Sequence, residues 1–377
     1  ADNQIKNNPD EKTWDPDALN WVNAPDYLKA AEIYNANTCE DRKVVKDGKL
    51  TGEPPKNVCV NGVVTWTPGD VNVAHGRGGL VSIVSSKQYR SQMPDVIIGI
   101  RKFNQDHRNE VQGMLAASFE AADQLKAFPE ALKRASAISA KVYNDQDGDY
   151  WLKYYKGTRE QDKTGNMVEL GGSAINNLND NLLLFGLQPG ANNNFRSTYT
   201  VFGTIATQQY PDLFKDPNKI PDVKEVLDTS YVLGASSMMG QSGAEADVAQ
   251  FNSNADTGAV VSKRNWNIEF DTGKATFTPD GERQMYQIKD NLAIAGALFV
   301  TVNGYTDNVG NRTANLDLSS RRAAAVKEWL QRKAPTNFPE DRFRIHAFGD
   351  DNPIASNATA DGRAKNRRVE IIMSGNE

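Results

Sequence analysis

Histidine and cysteine are scarce in this chain: His75, His107 and His346, with Cys39 and Cys59, are the only ones among 377 residues. The histidines are scattered without ligand spacing, so no zinc-type site is expected, and no metal or cofactor. No run of eighteen apolar residues occurs, so no helix of this sequence is expected to span a membrane. A strong charge of one sign is lacking as well. The net charge is −5, and from Lys263 onward 17 basic side chains stand against 15 acidic ones. Nucleic-acid binding needs a concentrated basic face and is not expected. Catalytic signatures are missing too: there is no Ser-x-x-Lys, no histidine cluster and no Gly-x-Ser-x-Gly elbow, and no spacing singles out two carboxylates. Catalysis is therefore not expected.

What is present is ordinary in composition, with 39% hydrophobic and 24% charged residues, and long enough for two or three domains. Its most specific stretch is near the C-terminal end. Leu298, Val300 and Val302 alternate with Phe299, Thr301 and Asn303, which predicts a strand ending near Tyr305. Asp307 then falls on the turn leaving that strand. Leu316, Ala323, Val326 and Leu330 recur at helical spacing and predict an amphipathic helix over about 314–332. If the helix packs back on the sheet, Arg322 comes near Asp307. Two such charges can receive a zwitterion, carboxylate to Arg and ammonium to Asp. They can equally pair with each other as a structural salt bridge.

The run Gly304-Tyr305-Thr306-Asp307-Asn308-Val309-Gly310, with Asn315, Leu318-Ser319 and Arg321-Arg322-Ala323, closes with Gly362-Arg363-Ala364-Lys365-Asn366-Arg367-Arg368-Val369-Glu370. It resembles the OmpA-like peptidoglycan-binding domain over roughly residues 265–374. The resemblance implies an α+β domain with helices packed on one mixed sheet. It also implies a cell-wall-associated protein in the periplasm of a Gram-negative-type, outer-membrane-bearing envelope. Asp307 and Arg322 would be the two main ligands of the diaminopimelate in the stem peptide. Thr306 stands beside them, Asn315 supports the turn or donates to the ligand carboxylate, and Arg367 or Arg368 lines the rim. Tyr305 stands where many family members carry His, a change on the flank of the site. By analogy with flagellar stator-type proteins that carry the same domain, an envelope protein complex is a further expected partner.

That compartment bears on Cys39 and Cys59, which flank a turn-rich segment, Lys46-Asp47-Gly48-Lys49 through Gly52-Glu53-Pro54-Pro55. In an oxidising periplasm they would form a disulfide; otherwise they are two unrelated buried thiols.

Residues 1–235 are of a different kind. Val111, Leu115, Phe119, Ala122 and Leu125 trace an amphipathic helix, while Leu80-Val81-Ser82-Ile83-Val84 and Val96-Ile97-Ile98-Gly99-Ile100 have the composition of strands. Strands alternating with helices predict a layered α/β region. Thr65-Trp66-Thr67-Pro68-Gly69-Asp70, Gly78-Gly79-Leu80 and Met93-Pro94-Asp95-Val96-Ile97-Ile98 resemble type II periplasmic solute-binding proteins of the sulfonate, nitrate and phosphate branches. The order of these pieces begins at what looks like a middle lobe, and about 230 residues are short for two lobes, so either an incomplete region or a reduced form of that fold is expected. Ala1-Asp2-Asn3-Gln4 shows no signal-peptide pattern.

Trp66 could stack on a solute there, with Thr67, Asp70 and Ser173 around it, or these are a core Trp and ordinary turn residues. Asp145-Gln146-Asp147-Gly148-Asp149 invites a calcium reading, but its Gly is out of place for an EF-hand loop and Lys156 holds the twelfth position, so a polar turn is expected. Small and polar residues mark a linker over 236–262, with a short helix near 245–251, before the domain at 263–377. Two functions follow: a non-catalytic wall anchor carrying a solute-binding-protein-like module, or a wall-tethered receptor of a transporter for an anion such as phosphate, nitrate or a sulfonate.

Overall fold

The computed structural model describes residues 6–8, 10–91, 96–214, 216, 220–240, 243–271 and 273–375. The chain divides into two compact units, residues 1–83 with 124–175 and residues 84–123 with 176–377.

In the first unit, strand Cys39–Lys46 runs parallel to Thr13–Trp14 and antiparallel to Lys49–Leu50 and Lys56–Cys59. Asp47 and Gly48 take positive φ (49° and 74°) between the paired Lys46 and Lys49, as a two-residue hairpin turn demands. Cys39 lies directly opposite Cys59 and is joined to it by a disulfide. Helix Tyr27–Asn35 starts on Asp26, which accepts the Lys29 N–H at 2.7 Å, and packs on helix Gly69–Gly76 through Ala31, Tyr34 and Val73. A second hairpin pairs Thr158–Gln161 with Met167–Leu170. Asp162 in its turn accepts the N–H groups of Gly79 (2.6 Å) and Leu80 (3.2 Å). Asp147 is the N-cap of helix Gly148–Lys156, accepting the Tyr150 N–H at 2.8 Å. The aspartate run is a helix start.

The two β-branched runs do not become strands. Residues 80–84 and 96–100 carry no sheet pairing, and Val81, Ile83 and Ile98 are each more than 85% exposed. Residues 93–95 of the same motif lie outside the described residues. A β-branched run forms a strand only when a neighbouring strand supplies hydrogen bonds and a face to pack on, and among the described residues none does. Nor do the described strands of the first unit build a layered α/β lobe; they form short two- and four-stranded sheets.

The second unit holds helix Arg108–Ala127 up to residue 123, whose Phe119 packs with Leu178, Val232 and Ala235. Helix Ser230–Met239 crosses the expected boundary at 235. No helix forms over 245–251. Its N–H groups and those just before it are drawn to outside acceptors instead, Ala244 to Asp123 (3.1 Å) and Asp247 to Asp180 (2.7 Å).

The C-terminal part is one mixed sheet under helices. Its elements are β1 (Val260–Trp266), α1 (Pro279–Ile294), β2 (Phe299–Tyr305), α2 (Arg312–Lys333), β3 (Phe343–Gly349), α3 (Ala360–Asn366) and β4 (Val369–Ser374). The strand order is β3-β2-β4-β1, with β2 parallel to β3 and antiparallel to β4. Each helix opens on a capping side chain: Thr278, Asn311 and Thr359 accept N–H groups three residues on. Val300, Val302, Met285, Ile288, Val326 and Leu330 fill the core at 1% exposure or less. α2 reaches β2 so closely that a Cβ on Gly304 would stand 2.2 Å from the Ser319 carbonyl oxygen. Helix Asn194–Gln209 packs on α1, with Ser197 donating to Asp290 (2.8 Å) and the Asn192 N–H to Asn337 (2.7 Å).

Arg342, fully buried, pairs with no carboxylate among the described residues. Its guanidinium donates instead to the carbonyls of Leu292, Ala295, Leu298 and Asn337 at 2.7–2.9 Å, closing the C-terminal end of α1. Burial pulls its pKa down to about 9. Arg342→Met strands four carbonyls in the core and is expected to cost about 3–5 kcal/mol in urea unfolding of the full chain. The disulfide closes a span of 20 residues; Cys39→Ser with Cys59→Ser is expected to lower the stability of the first unit by about 3 kcal/mol, read from the same unfolding curve.

Candidate functional site

The site is built where β2 hands over to α2. The Thr306 N–H donates to the Gly349 carbonyl (2.7 Å), pinning the end of β2 to the end of β3. Asp307 follows, 8% exposed, on the loop closed by Gly310 at φ 101° and by the Asn311 cap. Asn315, in the first turn of α2, donates its side-chain amide to the Asp307 carbonyl at 3.3 Å. One carboxylate oxygen of Asp307 accepts the Val309 N–H at 3.1 Å and the other the Arg367 guanidinium at 2.6 Å. Thr306 Oγ1 is buried with no hydrogen-bond partner among the described residues.

Arg322 lies two turns beyond Asn315 on α2, which returns it to the same face of the helix. It is 7% exposed, its guanidinium rests over the Phe270 ring (4.9 Å), and its Nε donates to the Lys274 carbonyl at 3.1 Å. Among the described residues no carboxylate pairs with it, so the ion pair of Asp307 is with Arg367 and not with Arg322. The reason is positional: the β1–α1 loop, held by the Phe270–Phe277 stack (4.9 Å), takes the Nε edge of Arg322. Burial lowers the pKa of Arg322, the neighbouring charges of Arg367 and Arg321 lower it further, and Asp307 acts the other way.

Arg367 and Arg368, alternatives in the sequence, are held differently. Arg367 is on Asp307. Arg368 lies over the Tyr305 ring (3.7 Å) and donates to the Asn352 carbonyl (3.1 Å). Tyr305 thus serves as the platform of Arg368 and itself stacks on Phe348 at 5.0 Å. Phe270 and Lys274 carry no motif, and the sequence reading missed them; two phenylalanines flanking a Gly-containing turn are the one signal that could have marked a closed loop there.

In the first unit, Thr67 and Asp70 meet. Asp70 accepts the hydroxyl of Thr67 (3.2 Å) and the N–H groups of Val71 and Gly171 (both 2.9 Å). Its carboxylate therefore ties two loops together and uses donors that an anion would need. Trp66, 56% exposed, stacks on Tyr27 at 4.4 Å. Ser173 is exposed, with its N–H on the Tyr155 carbonyl at 3.0 Å. Among the described residues no cluster of three or more His, Cys, Asp or Glu could hold a metal, and no helix is long and apolar enough to cross a membrane.

Residues 269–367 match the model of the OmpA family, and the C-terminal domain is OmpA-like in sequence and in its helices on a mixed sheet. Among curated proteins, the peptidoglycan-binding protein ArfA of Mycobacterium tuberculosis is 34% identical over 181 residues, 48% of this chain and 52% of that protein. Outer membrane protein A of Bordetella avium is 40% identical over 106 residues, 28% of this chain and 53% of that protein. The chain thus spans about half the length of these relatives. Among solved structures, the cell wall anchor of the T6SS from Pseudomonas aeruginosa is 30% identical over 30% of this chain and 79% of that one, with a TM-score of 0.26.

The side chain of Arg367 is 45% exposed, so its pair with Asp307 adds little to stability. Asp307→Ala is expected to cost about 1–2 kcal/mol in thermal unfolding, and Arg322→Ala, which also removes a buried charge with no carboxylate partner among the described residues, less than that. A loss large enough to unfold the domain would make the two residues structural.

Proposed function

We propose that residues 263–377 are a non-catalytic anchor that binds the diaminopimelate-containing stem peptide of peptidoglycan non-covalently. The observation that carries this reading is Arg322: a guanidinium taken out of water, paired with no carboxylate among the described residues, beside a buried aspartate. Burying an uncompensated charge is costly, and a ligand carboxylate would compensate it. The end of the diaminopimelate side chain bears one carboxylate and one ammonium. The carboxylate would take the Nη edge of Arg322, which has no hydrogen-bond acceptor among the described residues, and the ammonium would join Asp307, whose two oxygens hold more acceptor sites than Val309 and Arg367 occupy. Asn315 holds the loop in place, and half-exposed Arg367 is free to share the ligand carboxylate. The printed description of the mycobacterial relative as peptidoglycan-binding supports the same assignment.

On this reading the protein works at the cell wall, in the periplasm of a Gram-negative-type envelope, with an envelope complex as a further partner. The anchoring domain is residues 263–377; the segment 236–262 expected as its linker to the module at 1–235 overlaps helix Ser230–Met239 and the start of β1 at Val260. A solute-receptor role for that module has no supporting observation, because Asp70 already occupies the donors of its expected anion site.

Isolated sacculi of the diaminopimelate type should retain the purified chain. Asp307→Ala or Arg322→Ala, checked for folding by circular dichroism, should each weaken retention about ten- to a hundredfold, the equivalent of one charge-assisted contact. Undiminished retention of both folded variants would refute the assignment.

A further inference from the structure

A shallow groove of about 530 Å³ opens beside Arg322, lined by Lys274 and Thr276 of the β1–α1 loop and by Arg321, Ala324, Ala325 and Glu328 of α2. It adjoins the site, because Lys274, which lines it, gives its carbonyl to Arg322 Nε, and Arg321 precedes Arg322 on the helix. Arg321, Ala324, Ala325 and Glu328 make one stripe along the helix. From Arg321 to Glu328 the stripe runs about 10 Å at 1.5 Å per residue, the length of roughly three residues of extended peptide. Its floor is two alanines, so a peptide backbone can lie close against the helix.

Charge is distributed unevenly along it. Four cations gather at the end near the site: Lys274, Arg321, Arg322 and Arg367. Among the described residues two carboxylates pair with them, Asp307 with Arg367 (2.6 Å) and Asp317 with Arg321 (2.8 Å). Glu328 stands at the other end, seven residues away. A zwitterion is neutral overall, so seating one at Asp307 and Arg322 leaves this positive excess as it was. A ligand carrying a second carboxylate next to the zwitterionic residue would cancel it.

Resting on the stem-peptide reading above, we propose that this groove is a second subsite. It receives the residues flanking the zwitterionic one in an extended peptide, and Lys274 with Arg321 favours a free carboxylate on the adjacent residue. Affinity then depends on more than the diaminopimelate end.

Calorimetry on the full chain with three probes tests this: free meso-diaminopimelate, the tetrapeptide L-Ala-γ-D-Glu-meso-diaminopimelate-D-Ala, and the same tetrapeptide with its D-Glu α-carboxylate amidated. The free-carboxylate tetrapeptide should bind about fivefold tighter than the amidated one, the scale of exposed ion pairs. In Arg321→Gln with Lys274→Gln that ratio should fall to one. Both substituted side chains are exposed, so the variant keeps its fold. Equal affinity of the two tetrapeptides for the unaltered chain, or a ratio unmoved by the double substitution, would overturn the subsite while leaving the stem-peptide reading intact. Failure of all three probes to bind would overturn that reading, and the subsite with it.

Discussion

Helix α2 lies on strand β2 with no side chain between them at Gly304. The Ser319 carbonyl occupies space that any Cβ would need, and the rest of the site depends on that approach. Ser319 then reaches the Gly349 N–H at 3.0 Å, tying the helix to the end of β3 as well. With α2 fixed in height against two strand ends, Asn315 falls below the Asp307 loop and Arg322 falls against the β1–α1 loop. The carboxylate and the guanidinium share one end of the domain because a glycine permits contact at its middle.

The two buried arginines of the domain show how structure and function diverge in one residue type. Arg342 donates to four carbonyls with four of its five N–H groups and closes the last turn of α1. Arg322 is nearly as deep, yet among the described residues only its Nε donates a hydrogen bond, and its charge is made costlier by Arg321 and Arg367. Buried polar groups in proteins are ordinarily satisfied. Among the described residues, Arg322 departs from that rule: no carboxylate pairs with it.

Legibility in the sequence tracked how local the determining physics was. The hydrophobic period of 316, 323, 326 and 330 places a helix over about 314–332, and the structure extends it only to Arg312–Lys333. The alternation at 298–303 marks a strand, though not that β2 would be buried on both faces, because that follows from its central place in the sheet. At 80–84 and 96–100 the same β-propensity produces no strand, since pairing is a property of neighbours and not of the run itself. The aspartates at 145–149 read as a polar turn; that Asp147 caps a helix depends on the chain continuing helically after it.

By itself the sequence determined the residue inventory of the C-terminal site: an acid on a turn, an arginine on the following helix, and an Arg-Arg pair before the last strand. It determined too that both cysteines flank a segment able to fold back. Only tertiary structure decided the partnerships. Asp307 takes Arg367 rather than Arg322, Arg368 goes to Tyr305, and Phe270 with Lys274 meets Arg322 though no motif marks them. The physical reason is distance along the chain: spacing within a helix or strand is set by its own geometry, whereas which of several arginines meets an aspartate sixty residues away is set by how β2, α2 and the β1–α1 loop pack.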